Sequence, residues 1–335
     1  MNKQLIISFF LLICAVGASA QNACKLKKPC NPASFIKEVS ELRNAAMYDS
    51  VIAIINQKYL KDSTEMWPRY QLACFYSLKG DSIRSFEFLY KSIRLGADID
   101  DILSDTDFEP LKSTGAWKVL DDSLNQIYLS NFPKITNKEL SVRLWRLGIE
   151  DQKSRTLSSN VKNENPFIDR KQLDKQYREE TRKRDDQIER LLKEKHWPTY
   201  NEIGAKASFA AMMIIQHSGN SKLAKKALPL IKIAVDSNQA NAEYYAMLLD
   251  RYLVQKRKKQ MYGTQVYKGC DSKGNCSDFQ FEPIEDEKNV NVRRESIGLP
   301  SIETYAKSIG FEYVYHSEYE HLSWIKIRKL QKKAK

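Results

Sequence analysis

Residues 200–217 constrain this chain most. Ile203, Ala207, Ala210, Ala211, Ile214 and Ile215 recur there at helical spacing, and Glu202 and Lys206 are the charges that interrupt them. A helix with so little polar surface is buried on most sides, so other helices must pack around it. The chain supplies them. Residues 222–237 and 241–253 repeat the apolar spacing, and residues 169–195 form a long helix with ten basic and eight acidic side chains. Near-balanced charge at helical spacing reads as a salt-bridged, largely solvated helix, not a nucleic-acid arm. Trp197-Pro198 stops it. Residues 260–267 and 277–283 read as the two strands of a β-hairpin, and 301–308 and 319–330 as closing helices. The predicted fold class is mainly α, with the small hairpin at 260–283.

A separate helical set comes earlier. Leu72, Ala73 and Tyr76 lie on one helix, Gly80-Asp81 makes a turn, and Phe86, Leu89, Tyr90 and Ile93 follow at helical spacing. This pair resembles a tetratricopeptide repeat, with Ser85 where alanine is commoner. One repeat cannot bury its own face, so residues 46–60 and 99–124 are the expected flanking helices. Phe108, Pro110, Leu111, Trp117 and Leu120 resemble the closing segment behind such repeats. The resemblance implies a helical superhelix whose concave face takes a protein or peptide partner.

Residues 1–20 read as a secretory signal: Lys3, an apolar run over 5–16, then Ala18-Ser19-Ala20 before Gln21. The run is too short to span a bilayer, and no other stretch approaches the roughly 20 apolar residues required. Ile13 precedes Cys14 where lipidation would want a small residue. The expectation is cleavage near Ala20 and export to the periplasm or beyond. Removing 20 of 335 residues leaves 315, enough for two domains. The predicted order is a Cys-containing segment 21–31, a tetratricopeptide-like domain 32–132, and a linker 133–143. A second helical domain 144–312 follows, then an aromatic and basic end 313–335.

In an oxidising compartment Cys24 with Cys30, and Cys270 with Cys276, would each close a small loop as a disulfide. A zinc site built from all four is the rival, without the usual C-x2-C knuckle. Cys74 lies on an apolar helix face and reads as a buried thiol. His316, Glu318, Glu320 and His321 give poor metal spacing, so neither metal nor cofactor is expected.

Formal charge is 54 − 42 = +12. Much of the surplus sits in two acid-free segments: five basic residues from Arg251 to Lys259 and six from Ile325 to Lys335. The rest is balanced, which excludes a uniformly basic nucleic-acid binder. Either the two segments are solvated, or they attach the protein to an anionic envelope surface or acidic partner.

The second domain carries a set of polar motifs: Asp151-Gln152 with Arg155, Trp197-Pro198, Gly204, Gln216-His217, Asp250-Arg251, Gln260, Tyr262-Gly263-Thr264-Gln265 and Gly298-Leu299-Pro300. With these it resembles an uncharacterised bacterial family known as a domain of unknown function, from Leu144 to Ile309. The resemblance departs at His196, where the family often has glycine. It implies a shared helical fold and no activity.

His217 ends the most apolar helix, where a carboxylate neighbour would make it a general base. The candidate site joins His217 to Asp250 as that neighbour, with Arg251, Tyr262 and Gln265 holding an anionic or polar substrate. Asp151 and Arg155 share a helix face and would complete an acid–base–cation cluster. The structural alternative is a buried polar network joining helix to hairpin. The first functional expectation is an exported, envelope-associated binding or scaffold protein; the second is a hydrolytic enzyme using His217 and Asp250.

Overall fold

A computed structural model describes residues 33–62, 64–164, 170–270 and 276–333. The expected signal peptide, Cys24 and Cys30 lie outside them. The protein is mainly helical with one two-stranded antiparallel sheet. It divides into two compact units between Pro133 and Lys134.

The first unit runs through α1 (Ala33–Asn44), α2 (Tyr48–Ile54), a π turn (Ile55–Tyr59), α3 (Met66–Lys79) and α4 (Ser82–Arg94). It closes with α5 (Ile99–Ser104), a 3-10 turn (Thr106–Leu111) and α6 (Gly115–Ser130). Asp81, Asp98, Asp105 and Thr114 cap successive helices by accepting backbone N–H groups. Helices α3 and α4 pack on each other around Gly80, which ends α3 in the left-handed conformation. Ser85 is fully buried there, and its hydroxyl donates to the Ala73 carbonyl at 2.7 Å. A serine is therefore tolerated at this close contact because its polar atom has a partner. Phe35, Val51, Ile55, Leu72 and Phe75 form the core.

The second unit holds α7 (Lys138–Glu164), α8 (Arg170–Leu192), α9 (Tyr200–Ser218), α10 (Ser221–Asp236) and α11 (Ala242–Gln255). After them come β1 (Val266–Cys270), β2 (Cys276–Phe281), α12 (Val290–Glu295), α13 (Ile302–Ser308) and α14 (Trp324–Lys333). Helix α9 is the expected centre: Ile203, Ala207, Ala211 and Ile214 are buried against Leu144 and Leu147 of α7, Ile188 of α8, Ile231 of α10 and Leu248 of α11. No helix among the described residues is long and apolar enough to cross a membrane.

Two glycines set how α7 meets α9. Gly204 breaks the first turn of α9 with φ 77° and ψ 163°, which a residue bearing Cβ adopts only under strain. The carbonyls around the kink are taken instead by α7 and its approach. Asn201 O accepts from Thr136 N–H at 3.1 Å, Glu202 O from Asn137 N–H at 2.9 Å, and Ile203 O from the Ser141 hydroxyl at 2.6 Å. Further along, a methyl group on Gly148 would lie 2.6 Å from Ala210 Cβ. Ser141 meets Ile203 and Gly148 meets Ala210, so both helices run the same way at close range. That register carries Asp151 of α7 to His217 at the end of α9.

The hairpin differs from its expected bounds. The first strand begins at Val266, not at residue 260, because the N–H groups of Met261, Tyr262 and Thr264 are bound to a helix side chain instead of a strand. The pairing places Cys270 opposite Cys276, after a register shift between Lys268 and Cys270. The loop tip and both cysteine side chains lie outside what the structure describes.

Candidate functional site

The motif Asp250-Arg251 sends its two side chains to different places, as neighbours on a helix must. Asp250 is fully buried on α11. Its carboxylate accepts N–H groups from Met261 at 2.7 Å, Tyr262 at 3.1 Å and Thr264 at 3.0 Å, and the Thr264 hydroxyl at 2.9 Å. Burial pushes its pKa up, while these backbone donors pull it down. The loop is closed further by Gln260, whose side chain donates to the Gln265 and Glu282 carbonyls and accepts from Gln265 N–H at 2.9 Å. Arg294, buried to 1 % exposure, donates to the carbonyls of Tyr262 at 2.5 Å and Pro300 at 2.6 Å. Gly263 has φ 67°, and a Cβ there would meet Ile302 at 2.6 Å. Each of these groups is explained by joining α11 to the hairpin.

His217 lies in the other place. Its Nδ1 is 2.5 Å from Asp151 Oδ2, so its carboxylate neighbour is Asp151 and not Asp250. The other oxygen of Asp151 is 3.6 Å from Arg184 Nε on α8. The side chains of Asp151, Arg184 and His217 are all buried to within 4 %. Arg184 also donates to Ser154 at 3.2 Å, and Ser154 to Glu180 at 2.6 Å. Arg155 and Arg251 both act on His217 electrostatically, and each is half-buried. Arg184 also stands 4.0 Å from Glu180, so it is shared between two carboxylates.

Buried polar atoms without hydrogen-bond partners among the described residues mark the site. Arg251 Nε is buried without a hydrogen-bond partner among the described residues. Burial, and then the neighbouring cation Arg155, push the Arg251 pKa down to about 10. Both polar atoms of the Gln216 amide, at 3 % exposure, also lack hydrogen-bond partners among the described residues. His217 is held below its usual range, mainly by burial and further by Arg155 and Arg251, against the opposing pull of Asp151. A neutral imidazole donating Nδ1–H to Asp151 keeps its lone pair on Nε2. Chemically, the cluster can receive an anionic group and move a proton beside it.

A pH dependence follows from the lowered His217 pKa. The folded state binds fewer protons here than the unfolded state, so this contribution is present above the ordinary imidazole value of 6.5 and is lost as pH falls below it. Wild type should lose more thermal midpoint between about pH 7 and about pH 5 than His217→Gln does, measured by scanning fluorimetry in matched buffers. Equal losses would mean that His217 does not titrate in this window.

The structure thus brings Asp151, Arg155, His217 and Arg251 together and places Asp250, Tyr262 and Gln265 in the structural joint. Arg184 was missed in the sequence because α8 read as solvated. Its signal was spacing: Tyr177, Thr181, Arg184, Ile188 and Leu191 follow one helical stripe, and the last three are buried. Elsewhere, Cys74, Asp105 and Asp107 bring possible metal donors close together. Asp107 is committed to Arg43 at 2.5 Å, and Asp105 to Tyr70 at 2.9 Å and the Asp107 N–H. Burial raises the Cys74 thiol well above its ordinary pKa. His316 rests on Tyr319 and pairs with Glu318 at 2.9 Å.

A family model described as a family of unknown function (DUF6624) matches residues 144–316. No curated protein and no solved structure matches the chain.

Proposed function

The chain belongs to DUF6624, a family without an assigned activity, and from its own geometry we propose an exported binding protein of the cell envelope whose second unit takes an anionic ligand group at Arg155, Arg251 and His217. The observation that carries this is the buried Arg251 Nε with no hydrogen-bond partner among the described residues. A buried N–H without a partner is costly, and a carboxylate or phosphate matches the planar fork of a guanidinium. Asp151 and Arg184 form an ion pair with each other at 3.6 Å, whereas the charge acting on Arg251 is the like charge of Arg155. The helical first unit is the candidate surface for a protein or peptide partner, as the repeat resemblance implies. Ile83 on α4, 83 % exposed, is an apolar contact available to such a partner.

Inorganic phosphate, citrate and chloride, titrated into the full chain at matched ionic strength, test the anion site. Phosphate or citrate should raise the thermal midpoint of the second unit by several degrees at saturation, and chloride should not. Arg251→Met should abolish the shift. Equal responses to all three salts would remove the anion-binding reading.

One observation favours a second reading. The short Asp151–His217 contact, 2.5 Å, is the arrangement that orients an imidazole as a general base. If hydrolysis occurs, Asp151 takes the orienting role that the sequence assigned to Asp250.

A further inference from the structure

Gln216 shares a level of the helix bundle with Arg251. Phe209 of α9 and Tyr244 of α11 pack with their ring centroids 4.6 Å apart. Further on, a Cβ on Gly219 would lie 3.8 Å from Gln255 Nε2, so the two helices run the same way and stay close to their ends. Seven residues make about two helical turns, which returns a side chain to the same face. Seven residues beyond the ring pair stand Gln216 on α9 and Arg251 on α11. On the side of α9 that faces α7, the same step from the Gly148–Ala210 contact leads to Arg155 and His217. Register alone thus gathers Arg155, Gln216, His217 and Arg251 at one end of the bundle.

Their hydrogen-bonding inventory is selective. Guanidinium groups only donate, whereas a glutamine amide donates through Nε2 and accepts through Oε1. The Gln216 amide is 3 % exposed, and neither of its polar atoms has a hydrogen-bond partner among the described residues. Either orientation of the amide leaves one donor and one acceptor to be met. The Asp151 carboxylate is engaged by His217 at 2.5 Å and by Arg184 at 3.6 Å. A fully deprotonated oxyanion such as sulfate brings acceptors alone. It would meet the arginines and Gln216 Nε2 but strand Gln216 Oε1, and a stranded buried acceptor is costly. Hydrogen phosphate carries both kinds of group at neutral pH: charged oxygens that accept and one O–H that donates.

We propose that the anion site, taken as read above, selects an oxyanion bearing one O–H group, with hydrogen phosphate as its ligand and Gln216 as the selecting residue. Arg155 and Arg251 donate to the charged oxygens, Gln216 Nε2 donates to one of them, and Gln216 Oε1 accepts the phosphate O–H. A phosphate monoester presents the same pattern only while it keeps its second proton, below about pH 6.

Calorimetric titration of the full chain at about pH 8 with sodium phosphate, sodium sulfate and methyl phosphate, at matched ionic strength, tests this. Methyl phosphate has lost its second proton there, so it carries no O–H. Phosphate should bind roughly tenfold tighter than sulfate, about 1.4 kcal/mol, and methyl phosphate should bind like sulfate. Gln216→Met should bring phosphate down to the affinity of sulfate. Its thermal midpoint without ligand should hold or rise, because a buried amide without partners is removed, whereas a structural amide would make it fall. Equal affinities for phosphate and sulfate would keep the anion site and overturn the selection, with water meeting Gln216. Methyl phosphate binding as tightly as phosphate at about pH 8 would also overturn it, and that comparison needs only wild type. Phosphate preference surviving in Gln216→Met would place the selection in another residue. No binding of any of the three would remove the anion site itself, and this proposal with it.

Discussion

Asp250→Ala should lower the thermal midpoint of the second unit by roughly 6–12 °C. The substitution removes the acceptor for three backbone N–H groups at Met261, Tyr262 and Thr264, and for the Thr264 hydroxyl. Asp250 is fully buried, so water does not easily replace it. Each stranded buried donor costs about 1–3 kcal/mol, and three at the lower bound give about 3 kcal/mol. About 2–4 °C accompanies each kcal/mol in a unit of this size. Calorimetry of the full chain, following the transition of the second unit, checks the value. Asp250→Asn is the informative companion, because it keeps the shape but turns an NH2 group toward backbone donors. Anion binding at Arg251 should survive in whichever of these variants stays folded. An unchanged midpoint in Asp250→Ala would mean that the loop does not depend on this carboxylate.

The sequence carried the helices better than the side-chain partnerships. The apolar spacing of Ile203, Ala207, Ala211 and Ile214 identified a central helix, because burial on several sides leaves a compositional trace. Gly204 was visible as a motif residue, but its kink was not, since a positive φ is decided by what packs against the backbone. His217 and Asp151 lie 66 positions apart, and their meeting depends on the α7–α9 register set by Gly148 against Ala210. No local pattern encodes that register. Asp250 seemed the better partner because acid and base residues cluster around it in sequence. On a helix, however, adjacent residues diverge, and the nearest backbone donors took its carboxylate first. Arg184 was hidden by its neighbours' charges. A count of ten bases and eight acids describes a helix's solvation on average, not the one face that turns inward.

Arg251→Met should move the midpoint the opposite way, raising it by several degrees although it is the very next residue. Arg251 is half-buried, its Nε is buried without a hydrogen-bond partner among the described residues, and the charge acting on it is the cation Arg155. A partly buried charge facing a like charge carries desolvation and repulsion costs that an apolar side chain of similar length does not. Met keeps the methylene contacts and removes the repulsion with Arg155, whose influence on His217 persists. A side chain retained at a cost to stability is what a binding site requires and a structural joint does not. Opposite signs at Asp250 and Arg251 would therefore divide one dipeptide into a structural half and a ligand-facing half. Differential scanning calorimetry on wild type, Arg251→Met and Arg251→Lys decides it. Arg251→Lys keeps the charge without the planar fork, so it should leave stability near wild type while weakening anion binding. A fall in the Arg251→Met midpoint would show that the guanidinium has a structural partner, and the anion-binding reading would fail with it.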